Sequence, residues 1–105
     1  MEVYNPKTKM RFQVAVNDFE DQMKWEDAKN ACIELGNGWR LPTIEELILI
    51  REELYSEGKG NLKNTTYWSS TEYDLNNAMY ISFYWNQVNH VMIHNVGNVR
   101  AVRTI

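Results

Sequence analysis

Gly38-Trp-Arg-Leu-Pro-Thr-Ile-Glu-Glu-Leu47 is the stretch from which the fold is read most directly. Pro42 stops any upstream helix from continuing through it. Thr43-Ile-Glu-Glu46 then fits a capping box, with the Thr43 hydroxyl on the Glu46 amide and the Glu46 carboxylate reaching back to the Thr43 amide. Leu47, Ile50 and Leu54 fall on one helical face, widened by Ile44, Ile48 and Leu49. The helix is expected to end before Gly58-Lys-Gly60-Asn, which reads as a loop. The carboxylate pairs Glu45-Glu46 and Glu52-Glu53 read as its solvated surface.

Upstream, Trp25, Ala28, Cys32 and Leu35 recur at helical spacing and predict an earlier helix from Trp25 to about Leu35. Glu26 and Asp27 favour its first turn, and Gly36 or Asn37-Gly38 supplies its stop. Cys32 reads as a small buried hydrophobe. It is the sole cysteine, so no intramolecular disulfide can form. Before this helix, Phe12, Val14 and Val16 alternate through a strand from Arg11 to Val16. Asp18-Phe-Glu-Asp follows as a connection.

Downstream, Tyr67-Trp-Ser-Ser70 reads as a short strand entering a loop around Asp74–Asn77. Met79, Ile81, Phe83 and Trp85 alternate against Tyr80, Ser82 and Tyr84, a strand with an apolar and a polar side. Asn86-Gln87 turns the chain, Val88–His94 returns, Asn95–Asn98 turns again, and Val99–Arg103 closes. One strand, two helices and a meander within 105 residues predict a single α+β domain, residues 1–105, with both helices packed on a small antiparallel or mixed sheet.

Charge is unevenly spread. The net charge is −3, and eleven of the fourteen acids lie between Asp18 and Glu57. From Leu75 to Ile105 there is no acid, and the formal positives are Arg100 and Arg103. An acidic chain without a basic stripe argues against nucleic-acid binding. No apolar run is long enough to insert into a membrane. The N-terminus lacks the pattern of a secretory signal, so the chain reads as cytoplasmic or as a fragment of an exported protein. Charge depletion with aromatic enrichment marks interface cores, and it equally marks strand-rich core.

Chemistry-bearing constellations are sparse. His90 and His94 share a strand face about 13 Å apart, with no carboxylate close in sequence, so no metal site is expected. Ser69-Ser70-Thr71 lacks a nucleophile elbow. No cofactor motif is present, and no enzyme class is indicated. Arg100 and Arg103, an odd offset apart, should face opposite ways, with one pairing an acid near the helices. The binding candidates are therefore Asn76, Asn77, Tyr80, Ser82, Tyr84, Asn86, Asn89, His90, His94 and Asn95. Such residues form adaptable contact surfaces, although Asn also serves turns. Trp25, Trp39, Arg40, Thr43, Trp68, Arg100 and Arg103 read as structural. The function that follows is non-catalytic capture of a protein or glycan ligand. The alternative is a self-assembling subunit that uses the same surface as a homo-oligomer contact.

Trp25-Glu-x-Ala28, Ala31-Cys32, Leu35-Gly36, Gly38-Trp-Arg-Leu-Pro-Thr43, Glu46-Leu47, Tyr67-Trp-Ser-Ser70-Thr and Val99-Arg-x-Val-Arg103 together resemble a bacterial domain family typified by the C-terminal domain of the Lcl adhesin. The resemblance covers about Phe12 to Arg103. It implies a C-type-lectin-like fold, chain ends close together, and adhesion or ligand binding. That fold is shared with formylglycine-generating enzymes and with retroelement-diversified variable proteins, whose varied positions are Asn-, Tyr-, Ser- and His-rich like Leu75–Asn98. The chain departs from the pattern at Lys24, where a capping Thr is usual, and at Ala101, where Cys is frequent. The calcium-lectin motifs Glu-Pro-Asn and Trp-Asn-Asp are missing, as is the cysteine pair of the formylglycine-generating enzymes.

Overall fold

The computed structural model describes residues 1–105 and shows an α+β fold of two helices and three small sheets. The second helix, α2 (Ile44–Glu53), starts as its capping box dictates. Thr43 Oγ1 accepts from the Glu46 amide at 3.2 Å, and Glu46 Oε1 accepts from the Thr43 amide at 2.9 Å. The free Ile44 amide donates to Thr71 Oγ1 at 3.0 Å, which ties the cap to a strand. Ile44, Leu47 and Ile50 are buried. So is Glu46, contrary to the solvated surface expected for it. Its carboxylate holds Arg40 in a bidentate pair at 2.7 and 2.8 Å.

The first helix, α1 (Trp25–Glu34), buries Trp25, Ala28 and Cys32. Lys24 supplies no side-chain cap, and the Trp25 amide donates to Ile93 O instead. Leu35, expected on the buried face, is 49% exposed because the helix stops there and passes beyond the core. Gly36 follows at φ +74°, a conformation glycine adopts without strain.

β1 (Glu2–Asn5), which the sequence reading did not anticipate, β2 (Met10–Val14) and β8 (Val102–Thr104) form one sheet in the order β1-β2-β8. Both chain ends therefore lie on it, as expected. β2 ends at Val14, so Val16 is 70% exposed rather than in the strand. β3 (Met23–Lys24) pairs with β7 (Val96–Gly97). The third sheet, β4 (Thr66–Asp74), β5 (Asn77–Ser82) and β6 (Gln87–Met92), is an antiparallel meander.

Strand alternation divides this meander between two cores. Tyr67 and Ile81 point into the cluster under α2, with Leu47, Ile50, Phe83 and Val102. Trp68 and Ala78 point into the cluster under α1, with Trp25, Cys32, Val99 and Ala101. The alternation expected to continue to Trp85 stops earlier. β5 ends at Ser82, Phe83 remains buried, and the chain turns through Tyr84 and Trp85 to Asn86 at φ 52°. Trp85 is consequently 71% exposed, not a core residue. Val99–Ala101 is buried but belongs to no strand, and regular pairing begins only at Val102.

Arg100 closes the molecule. Its fully buried guanidinium donates to Asp18 Oδ1 at 2.8 Å, to the Ala15 and Gly60 carbonyls at 2.9 and 2.7 Å, and to the Asn61 carbonyl at 2.9 Å. The acid it meets lies in the connection after β2, not on a helix. Tyr67 Oη completes the cluster by donating to Asp18 Oδ2 at 2.7 Å. Arg103 faces the other way, over the Trp39 ring and with Nε on Gln13 Oε1.

Candidate ligand groove

The side of the β4-β5-β6 sheet that faces α1 is only partly covered. Its register sets side chains in rows across the three strands. Thr66, Ser82 and Gln87 form one row, Trp68, Tyr80 and Asn89 the next, and Ala78 and Val91 a third. α1 covers Trp68 and Ala78. The rest opens into two concavities.

The larger, about 430 Å³, is lined by Thr66, Tyr80, Tyr84, Trp85, Gln87 and Asn89 among others. The smaller, about 200 Å³, lies between Tyr80, Trp68, Val91, Asn95, Val96 and Gly97. Thr66 and Tyr80 line both, so the two adjoin and make one groove. No Asp, Glu, Lys or Arg lines either part.

The scaffold accounts for the shape. The Trp68 indole is held by its Nε1, which donates to Met23 O at 2.8 Å. A Cβ on Gly97 would stand 3.1 Å from that ring, so glycine permits β7 to approach the groove floor. Asn98 is buried, and its amide donates to Thr65 Oγ1 and Thr66 O at 3.1 and 3.2 Å. Trp25 Nε1 donates to Ser69 O at 2.7 Å. The hydroxyls of Ser69 and Thr71 are engaged as well, on Met79 O and the Ile44 amide.

The structure brings some of the expected binding residues together and separates others. Tyr80, Ser82, Tyr84, Asn89 and Asn95 line the groove. Ser82 is 8% exposed, and its hydroxyl accepts from the Trp85 amide at 3.1 Å, so it shapes the floor and the turn rather than presenting a surface. Asn76 in the β4–β5 turn and Asn77 at the start of β5 donate to Asp74 Oδ1 at 2.9 and 2.8 Å. Those bonds, that of Asn77 foremost, hold the Asp74 carboxyl below its usual range. Asn86 serves the β5–β6 turn through its positive φ. His94 lies in the turn after β6. His90 is exposed on the opposite side of the sheet, stacked on Tyr73 with centroids 3.6 Å apart and planes 7° from parallel.

Trp85, Thr66 and Gln87 were missed. Asn86, a residue tolerant of positive φ, directly follows Trp85 and was the available signal that the strand had already ended.

A third concavity, about 420 Å³, lies between the β1–β2 turn and the start of α2, with Lys7, Arg11, Arg40, Glu45 and Glu46 in its wall. Arg40 and Glu46 satisfy each other there. No helix is long and apolar enough to cross a membrane.

These features define a small α+β domain that carries an uncharged aromatic groove on one side of a three-stranded sheet. The chain matches the model of the Lcl C-terminal domain over residues 2–103, and it belongs to that family. No curated protein matches it significantly.

Proposed function

We propose that the protein is a non-catalytic binding module of adhesion type. Its groove, bounded by Thr66, Tyr80, Tyr84, Trp85, Asn89 and Asn95, captures an uncharged part of a protein or glycan ligand. The observation that carries the reading is the coincidence of solvent-facing rings and amides in one concavity without a formal charge: Tyr84 is 59% and Trp85 71% exposed. Rings of this kind supply apolar contact area at low entropic cost, and amides and hydroxyls supply orientation. Membership of the Lcl C-terminal domain family supports the adhesion part, and we place the C-type-lectin-like description of the fold within the same proposal.

The test is a screen of the immobilised chain against arrays of glycans and proteins, with Y84A and W85A run in parallel. Capture should be lost in both variants and should change little with ionic strength, because no charge lines the groove. Binding that collapses at high salt, or that survives both substitutions, would contradict the proposal.

A further inference from the structure

β6 is an edge strand, and its open side is described by two hydrogen bonds. Phe83 N donates to Thr65 O, and Ile93 N donates to Asn76 O. Odd-numbered residues at the end of β5 therefore bond to β4, and even-numbered ones bond to β6. In the observed register, Gln87, Asn89 and Val91 turn their backbone groups inward. Val88, His90 and Met92 turn theirs away from the sheet; the Met92 carbonyl accepts locally from Asn95 N and Nδ2 at 3.0 and 3.1 Å, bonds that a strand partner at Met92 would have to share or displace.

The other edges of the two three-stranded sheets are covered or guarded. Asn98 pairs alongside β4, and Arg40 pairs alongside β8. β1 is four residues long and begins with Glu2. β6 is six residues long, Gln87-Val-Asn-His-Val-Met92, and carries no formal charge. Proteins ordinarily blunt such edges with charges, proline or bulges. Here the outward His90 amide is turned onto Asn89 Oδ1 at 2.8 Å, a local bond readily exchanged for a strand partner.

We propose that β6 pairs antiparallel with β6 of a second copy about a twofold axis at His90, joining two meanders into one six-stranded sheet. The sequence is self-complementary under that operation. His90 meets the partner's His90, and Val88 meets the partner's Met92 on the side of the sheet that carries Tyr73. Val88 is 38% and Met92 52% exposed in the single chain, so each copy brings an unburied apolar side chain to the pairing. No like charges are opposed. The axis of an isologous edge-to-edge pair is perpendicular to the sheet, so both grooves open on the same side. A ligand with repeated determinants would then be held at two points, and its release would be slowed by the effective concentration of the second groove. The self-association that the sequence offers as the alternative reading is thereby moved from the groove to the sheet edge. A single strand pair lies at the small end of specific interfaces, below about 1,200 Å² in total, so a weak, concentration-dependent dimer is expected.

Sedimentation equilibrium of the 105-residue chain up to millimolar concentration tests this. The wild type should pass from monomer to dimer. V88K and M92E should each weaken the dimer at least about tenfold, without lowering the melting temperature by circular dichroism. The double variant V88K/M92E, which opposes the new cation to the partner's new anion, should restore association. A monomer at every concentration, a dimer indifferent to V88K and M92E, or a double variant no tighter than its single parents would each overturn the proposal.

Discussion

Replacing Asp18 by alanine should produce the largest loss of stability available to a single polar substitution in this protein. The Arg100 guanidinium is fully buried, and the Asp18 side chain is 5% exposed. D18A leaves the cation with three carbonyl acceptors, those of Ala15, Gly60 and Asn61, and no counter-charge. Removing one partner of a buried pair costs about 3–5 kcal/mol. The Tyr67 hydroxyl loses its acceptor but keeps the bond it accepts from the Lys63 amide; that loss adds about 1 kcal/mol, and the surviving carbonyl bonds hold the sum toward the lower end. Domains of this size are stable by about 5–15 kcal/mol in total. At about 4 °C per kcal/mol, the melting temperature should fall by roughly 12–20 °C. Urea unfolding followed by circular dichroism measures the difference. R100M removes the charge from the other side, and the double variant D18A/R100M should lose less than the sum of the single changes, because no charge is then left buried alone. A D18A loss under about 1 kcal/mol, or strict additivity in the double variant, would refute the assignment of Arg100–Asp18 as the tie between the loops.

Two further expectations concern buried titratable groups. Burial pushes the Cys32 thiol up to about 12, so it should resist a disulfide reagent in native buffer and react once the chain is denatured; rapid labelling of the native protein would contradict the packing under α1. Burial also pushes the Glu46 carboxyl up, but the hydrogen bonds from Arg40 and Thr43 outweigh it and hold the group below its usual range. A lowered folded value means that its contribution is present above the unfolded carboxylate value, about 4.3, and is lost as pH falls through the folded value. E46Q should therefore be less stable than wild type at neutral pH by about 1–2 kcal/mol, a figure trimmed for screening because Arg40 is 35% exposed. The gap should begin to narrow as pH falls below about 4.3 and close as pH falls through the lowered folded value in acid unfolding curves; a gap that stays constant with pH would show that the pair contributes nothing electrostatic.

Local signals were the legible ones. Thr43 and Glu46 specify a helix start through atoms three residues apart, and the structure forms that box. Trp25, Ala28 and Cys32 needed only helical spacing to be placed inside. What escaped depends on partners distant in sequence. Glu46 looks like one of four surface carboxylates until Arg40 is brought against it from the loop before α2. Asp18 is one acid in an acidic connection until Arg100 reaches it from 82 residues away.

The binding candidates show the same division. Composition singled out the acid-free final third, but not which side of the sheet α1 would leave open. Tyr80 and Asn89 share that side, and His90, one residue on, does not. Trp85 went unrecognised because alternation was extended through a turn that Asn86 makes at positive φ. β1 offers one buried side chain, Val3, and too short a pattern to stand out.

The claim that the groove across Tyr80 holds the ligand is tested most directly by one paired measurement on a captured ligand. Affinity and melting temperature are compared for wild type, for the combined variant Y84A/W85A/N89A, and for Y73A, which removes an exposed ring from the opposite side of the sheet. The combined variant should melt within about 2 °C of wild type and bind at least about tenfold more weakly, while Y73A binds as wild type. Equal losses of affinity in both variants, or retained affinity in the combined one, would contradict it.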